Sequence, residues 1–210
     1  MSDIVSAEWL MQNLAKVRVL DASWYMPADK RDPKAEFEAA HIPGAVFFDI
    51  DALSDHGTSL PHMLPTPQQF GRDAGALGIG DSDMVVVYDG AGIFSAPRVW
   101  WTLKAMGHDK VAVLDGGLPA WKKAGGALQS GPAHPVAATF TPRPNGAILR
   151  DFHAVKAALG NTQVLDARSA PRFEGSEAEP RPGLKSGHMP GAANVPYRAV
   201  LTSDGHPKDD

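Results

Sequence analysis

Short apolar runs alternate with amphipathic stretches along the chain. Residues 17–22, 45–49, 84–89 and 111–115 ("VRVLDA", "AVFFD", "MVVVYD" and "VAVLD") are apolar almost throughout. Runs of this length and composition are typical of strands that are buried on both faces of a parallel sheet. Helix signals lie between them, so the pattern predicts an α/β fold with a parallel sheet flanked by helices.

Capping residues mark where the helices begin. Ser6 precedes apolar positions at helical spacing, and Thr66 is followed by Pro67, a capping residue with a first-turn proline. The sequence "GGLPAWKKAGG" predicts a short helix closed by glycines. Further along, Asp151 is in a position to cap another helix, and "TQVLDAR" (162–168) predicts a strand after it.

The second part of the chain repeats the first. "VRVLDAS" (17–23) matches "TQVLDAR", and "HIPGA" (41–45) matches "HMPGA" (188–192), with offsets of 145 and 147. Two matches in the same order and nearly the same register indicate a duplicated domain.

The repeat and the prolines between its copies predict the domain organisation. A first domain covers 1–127, a proline-rich linker covers 128–147, and 148–210 form the first part of a second domain. The counterpart of Asp89 would fall near position 236 (about 147 residues further on), so the second copy is expected to be truncated before that loop.

The stretch "VVVYDGAGIFSAPRVWW" (85–101) predicts a strand, a glycine loop and a helix start. Such an arrangement gathers backbone N–H groups around an anion. Its first loop position is Asp89, which is itself an anion, so the carboxylate is expected to satisfy those donors internally. A phosphoryl-accepting Asp89 is the alternative, but "DGAGI" lacks the second acidic residue that would hold a metal.

Composition excludes several classes of function. The 20 basic and 24 acidic residues give a formal charge of −4 with no run of either sign, which argues against nucleic acid and a polybasic membrane patch as partners. No apolar stretch approaches the roughly 20 residues of a membrane span, and the start lacks a signal-peptide pattern. A cytoplasmic protein is the default expectation. The 210 residues contain no cysteine, which excludes a cysteine nucleophile within them.

Several motifs together resemble the tandem rhodanese-type sulfurtransferases, and the mercaptopyruvate type more than the thiosulfate type. They are "HIPGA", "FFDIDALSD", "HMLPTPQQF", "VVVYDG", "SAPRVWW", "GHDKVAVLDGG" and "RFEGSEAEPRPGLKSGHMPGAANVP". The resemblance implies two similar α/β domains, with a nucleophilic cysteine on the loop of the second. Asp89 would then occupy the cysteine's place in an inactive first loop.

Arg172 and Arg181 are the candidate substrate-binding residues. They stand nine residues apart, and Gly175 and Pro180 argue against a helix through both. A loop could turn both guanidiniums toward one carboxylate, although surface arginines without a function remain open from the residues alone. The resemblance implies that this pair holds the carboxylate and keto group of the substrate. Arg168, at a strand end, is expected to hold the loop by hydrogen bonds.

Asp51 and His62 are the candidate proton relay, a role that the resemblance alone implies. Their separation carries no signal, and a loop histidine is usually solvated. The resemblance places them with a serine of the missing loop, where they would manage protons on the substrate's sulfur, and His62 favours mercaptopyruvate over thiosulfate as donor. An Asp–His pair suits this task because the carboxylate orients the base.

Two functions from different classes follow. The first is a sulfurtransferase that moves sulfur from 3-mercaptopyruvate or thiosulfate to cyanide or a thiol through a cysteine persulfide beyond this chain. It would need no cofactor or metal, and a missing C-terminal fragment is its expected partner. The 210 residues alone are predicted to be inactive. The second is a non-enzymatic rhodanese-like binding or regulatory module, which the absence of cysteine favours and the two candidate pairs do not.

Overall fold

A computed structural model describes residues 2–180 and 183–208. The chain divides into two compact units, Met1–Gly146 and Ala147–Asp210. The elements of the first unit are β1 (Ile4–Val5), α1 (Ala7–Asn13), β2 (Arg18–Asp21), α2 (Pro33–Ala39), β3 (Val46–Phe47), α3 (Pro67–Ala76), β4 (Val85–Tyr88), α4 (Ala96–Ala105), β5 (Val111–Leu114) and α5 (Gly117–Lys123). Those of the second are α6 (Phe152–Ala158), β6 (Leu165–Asp166), α7 (Ala170–Glu174) and β7 (Ala193–Asn194).

The first unit contains a five-stranded sheet in the order β1-β5-β4-β2-β3, and every described pairing is parallel. All four predicted strands are confirmed, although the strand predicted over 45–49 is only two residues long. The prediction missed β1, because its two apolar residues stand between Asp3 and Ser6 and belong to no longer apolar run.

Alternate residues of the central strands face opposite sides of the sheet. Val85 and Val87 pack in one core cluster with Phe70, whereas Val86 and Tyr88 pack in another with Trp121. Both faces are therefore covered, which explains why β4 and β5 are apolar without interruption.

The predicted helix starts are confirmed by their caps. The Ser6 hydroxyl accepts from the N–H of Trp9, and the Asp151 carboxylate accepts from the N–H of Ala154. Thr66 caps α3 in the same way, with Pro67 at its first position. Each side chain satisfies a backbone donor that has no partner within the helix.

The segment predicted as a linker, 128–147, belongs to the first unit as far as Gly146. It is irregular but packed, because the N–H of Ala138 donates to Gly75 O at 2.9 Å and Phe140 is buried in the core. Gly75 permits this approach, since a Cβ there would lie 2.7 Å from Ala138 O.

The second unit pairs β6 with β7 in parallel. Leu165 lies opposite Ala193, just as Leu20 of β2 lies opposite Val46 of β3. These partners are related by offsets of 145 and 147, the same offsets that separate the matching sequence motifs, so the two strand pairs have the same register.

None of the described helices combines the length and the apolar character that crossing a membrane requires.

Candidate active site

The predicted anion cradle is present at the end of β4, and the buried Asp89 fills it. One carboxylate oxygen accepts from the N–H groups of Phe94, Ser95 and Ala96 at 2.8–2.9 Å, and the other accepts from Ala91 N–H at 2.9 Å. The side chain is 0% exposed. These donors include the N–H of Ala96, the first residue of α4, so the loop's affinity for an anion is satisfied from within.

A second buried carboxylate supports the cradle loop from the neighbouring strand. Asp21, the last residue of β2, accepts from the N–H and hydroxyl of Ser23, and the Ser23 hydroxyl accepts from Gly90 N–H at 2.9 Å. Burial raises the pKa of the Asp21 carboxyl. This chain of hydrogen bonds ties the end of β2 to the loop after β4.

The structure brings Asp51 and His62 together. His62 Nε2 lies 2.7 Å from an Asp51 carboxylate oxygen, although Asp51 is 63% exposed and the His62 side chain 25% exposed. Both residues belong to the long connection between β3 and α3. His62 has a left-handed backbone (φ 56°), which is uncommon for a residue other than glycine.

This geometry determines what the pair can do chemically. Because Nε2 faces the carboxylate, the proton of the neutral imidazole is assigned to Nε2 and Nδ1 is left as the basic nitrogen. A carboxylate in contact with an imidazole fixes the orientation of the ring, which is an arrangement that general-base catalysis can use.

Two further residues hold this pair, and sequence reasoning missed both. The Trp24 indole N–H donates to the second carboxylate oxygen of Asp51 at 3.0 Å, and its ring packs edge-on against His62 with centroids 5.0 Å apart. The Arg98 guanidinium donates to the carbonyl of His62. Arg98 stands in the "SAPRVWW" motif, but neither motif nor spacing indicates a contact across 36 residues.

Arg98 is a half-buried cation that stacks on Trp101, at 4.8 Å from the ring centroid. Burial lowers the pKa of its guanidinium. Within residues 2–180 and 183–208 it forms no salt bridge with a carboxylate.

Two arginines of the second unit, Arg168 and Arg172, contact the same glutamate, Glu179, whose side chain is 4% exposed. Arg172 lies on α7 rather than on the predicted loop, because the helix continues to Glu174 and ends at Gly175, which has φ 80°. Its guanidinium donates to Glu179 at 2.5 Å. Hydrogen bonding from Arg172 lowers the pKa of Glu179. Arg181, the other predicted substrate-binding residue, lies outside the described residues.

The predicted structural role of Arg168 is confirmed. It binds Asp166, Glu179 and the carbonyl of Gly187. Hydrogen bonding from Arg168 also lowers the pKa of Asp166. Sequence reasoning missed Glu179, which is the carboxylate shared by Arg168 and Arg172.

Among the described residues, no group of three histidine, aspartate or glutamate side chains is arranged to hold a metal ion.

The parallel sheet and the N–H cradle between β4 and α4 place the protein in the class of α/β proteins with an anion-binding loop at a helix start. Residues 6–124 match the model of the rhodanese-like domain. The chain belongs to the rhodanese-like family.

Known proteins resemble nearly the whole chain. It is 43% identical to human 3-mercaptopyruvate sulfurtransferase, over 96% of this chain and 71% of the human protein. It is 44% identical to mitochondrial thiosulfate/3-mercaptopyruvate sulfurtransferase 1 of Arabidopsis thaliana, over 95% of this chain but 59% of the plant protein. The crystal structure of SseA, a 3-mercaptopyruvate sulfotransferase from Escherichia coli, superposes with a TM-score of 0.90 at 36% identity, covering 100% of this chain and 80% of the other.

Proposed function

We infer that the chain is part of a sulfurtransferase that moves sulfur from 3-mercaptopyruvate, with thiosulfate as the second candidate donor, to cyanide or a thiol. The observation that carries this proposal is the oriented Asp51–His62 pair in a chain 43% identical to human 3-mercaptopyruvate sulfurtransferase. The proposed nucleophile is a cysteine in a segment outside these 210 residues, which contain no cysteine.

Arg172 and Arg181 are proposed to hold the substrate's carboxylate and keto oxygen. A guanidinium suits both groups because its forked N–H donors reach two oxygens at once. Arg172 is already oriented by its contact with the carboxylate of Glu179, which reduces the rotamer freedom that binding would remove.

His62 is proposed to carry the proton that sulfur transfer must relocate. The cysteine thiolate forms a bond to the sulfur of 3-mercaptopyruvate while the carbon–sulfur bond breaks, and the carbon leaves as the enolate of pyruvate. The thiol proton of the substrate passes through His62 Nδ1 to that carbon, so that no external oxidant or reductant is required. The cysteine retains the sulfur as a persulfide.

The acceptor completes the cycle. Cyanide attacks the outer persulfide sulfur, the sulfur–sulfur bond breaks, and thiocyanate and the cysteine thiolate result. A thiolate acceptor takes the sulfur in the same way, and backbone N–H groups on the cysteine's loop stabilise the anions.

A tandem arrangement is part of this proposal. The first domain then has an inactive loop, in which Asp89 stands at the cysteine's place, and residues of the second unit belong to an incomplete second copy. The shared strand register of β2–β3 and β6–β7 supports this arrangement. A cytoplasmic location stays a prediction.

The test is thiocyanate formation from 3-mercaptopyruvate and cyanide. We expect no turnover by the 210-residue chain and turnover by the natural protein that contains it. In that protein, His62→Gln should lower kcat/KM by about 10²–10⁴-fold. Arg172→Lys should mainly raise KM, because it removes the forked contact with the substrate.

His56→Gln is the matched control, since this exposed loop histidine contacts the carbonyl of Ala52 rather than Asp51. Turnover by the cysteine-free chain would overturn the proposed mechanism. Absence of turnover in the natural protein with either donor would favour the binding or regulatory module instead.

A further inference from the structure

The Asp51–His62 contact needs support from elsewhere. It is short, but Asp51 is more than half exposed, and solvent-exposed ion pairs on flexible loops contribute little free energy. Its histidine also has a left-handed backbone, a conformation that persists in a bulky residue only when its surroundings enforce it. The structure contains a restraint on each partner.

Trp24 restrains the carboxylate. It lies three residues beyond β2, and its backbone N–H donates to the buried hydroxyl of Ser95 at 3.1 Å, next to the Asp89 cradle. From this fixed position the indole N–H binds one oxygen of Asp51 and leaves the other for His62. The ring itself packs against the imidazole edge.

Arg98 restrains the backbone of the histidine. It lies in the first turn of α4, and its guanidinium donates to the carbonyl of His62 while its face covers Trp101. A charged donor on this carbonyl fixes the peptide orientation that the left-handed residue requires. Trp24, from the segment after β2, and Arg98, from α4, thus each contact one member of the pair.

We propose that Trp24 and Arg98 are positioning residues that preassemble the Asp51–His62 pair, Trp24 through the carboxylate of Asp51 and Arg98 through the backbone carbonyl of His62. The first unit thereby supplies a base whose geometry is set before substrate arrives. This deepens the proposed function, but the geometric part can be tested without it.

The first measurement is the His62 Nε2–H signal in ¹H–¹⁵N spectra of the 210-residue chain at neutral pH. An imidazole proton on a partly exposed ring is observed only when a stable hydrogen bond slows its exchange with water. We expect the signal in the unaltered chain and its loss in Trp24→Phe, which keeps an aromatic ring but removes the donor. Arg98→Met should also lose it, whereas Arg98→Lys, which can still donate to the carbonyl, should keep a weakened signal.

Trp100→Phe is the matched control, because the indole N–H of Trp100 has no hydrogen-bond partner among the described residues. The signal should persist in this variant and disappear in Asp51→Asn. Its persistence in both Trp24→Phe and Arg98→Met would overturn the proposal. If one of these two fails to fold, the other decides.

The second measurement uses the natural protein and rests on the proposed function. Misplacement of the base should lower kcat in Trp24→Phe by roughly tenfold to a hundredfold with little change in KM for 3-mercaptopyruvate. A rise in KM alone would show that Trp24 binds substrate and does not position the pair. If the natural protein is inactive, the proposed function is refuted. The spectroscopic measurement would still test whether Trp24 and Arg98 position the pair.

Discussion

The β2–β3 pair of the first unit and the β6–β7 pair of the second have the same construction and different surroundings. In the connection between each pair of strands, a phenylalanine ring stacks on the histidine that begins the "HIPGA" or "HMPGA" motif. The ring centroids are 4.0 Å apart for Phe37–His41 and 3.7 Å apart for Phe173–His188. The histidine Nδ1 contacts the phenylalanine carbonyl at 2.7 Å in the first and 2.8 Å in the second. The motif therefore repeats as packing as well as sequence.

The two strand pairs differ in burial. Leu20 of β2 is 1% exposed, whereas its counterpart Leu165 of β6 is 56% exposed. β2 has a strand on each side, β3 and β4, whereas β6 pairs only with β7 among the described residues. Equivalent contacts should consequently contribute more stability in the first unit, where water is excluded from them.

The chemistry at the strand ends has diverged as well. In the first unit, Ser23 lies two residues after the strand-end aspartate, Asp21. Hydroxyl and N–H donors complete the buried hydrogen-bond network around that carboxylate. The second follows Asp166 with Arg168 and adds Arg172 nearby, both paired with Glu179. The same strand-end position therefore carries a hydroxyl and N–H network in the first unit and two guanidiniums in the second.

The largest effect is expected from emptying the first unit's cradle. Asp89→Ala removes the acceptor for four backbone N–H groups, two of which, those of Ser95 and Ala96, form buried hydrogen bonds. Since stranded buried donors cost about 1–3 kcal/mol each and do not add fully, we expect a loss of about 4 kcal/mol in the free energy of unfolding. Urea unfolding followed by tryptophan fluorescence measures this, because all five tryptophans lie in the first unit.

Asp89→Asn provides the graded comparison, since its amide oxygen still accepts but carries no charge. Asp89→Asn should lower the free energy of unfolding by about half as much as Asp89→Ala does. Equal urea midpoints for Asp89→Ala and the unaltered chain would show that the carboxylate does not satisfy the loop.

A medium effect is expected from truncating the repeated histidine. His41→Ala removes a fully buried ring from the core and should cost about 2–3 kcal/mol. His188→Ala removes the same stacking and hydrogen bond from an exposed site and should cost less than about 1 kcal/mol. Fluorescence-detected unfolding measures the first variant, and circular dichroism detects both.

We attribute the stability that the repeated motif contributes to burial rather than to contact geometry. Similar losses of unfolding free energy in the two histidine variants would contradict this view. Because both histidines belong to the same chain, the two variants are compared in the same buffer and at the same chain length.

The features that could be predicted from the sequence are those that local residue patterns determine. The strands of the sheet, the caps Ser6, Thr66 and Asp151, and the internally satisfied carboxylate of Asp89 follow from runs, spacings and loop chemistry within about ten residues. Strand β1 was missed because its two apolar residues are flanked by polar ones and belong to no longer run. The packing of 128–146 was missed because it depends on Phe140 entering a core built by distant residues.

The site was less accessible to sequence reasoning for the same reason. The contacts Trp24–Asp51 and Arg98–His62 span 27 and 36 residues and have no local signature. The Arg172–Glu179 pair spans only seven residues, but the prediction of a loop gave no direction for either side chain. Resemblance supplied Asp51, His62 and Arg172, and only the fold shows what holds them.

The smallest effect concerns pH and again distinguishes buried from exposed histidines. His108, after the end of α4, is buried beside Phe140, and burial lowers the pKa of its imidazole below the ordinary value of 6.5. The unfolded chain therefore binds a proton at His108 at a higher pH than the folded one. As the pH falls through about 6.5, His108 should reduce the stability of the first unit, with a limiting slope of about 1.4 kcal/mol per pH unit.

His108→Gln should flatten this decline between pH 7 and 5, whereas replacement of the exposed His134 by glutamine should leave the decline unchanged. Urea midpoints from tryptophan fluorescence at several pH values give the slope for each variant. A decline that is as steep in His108→Gln as in the unaltered chain would assign the acid sensitivity to other groups. That result would mean that His108 takes up its proton in the folded protein. Its ring would then need access to water, which its burial beside Phe140 argues against.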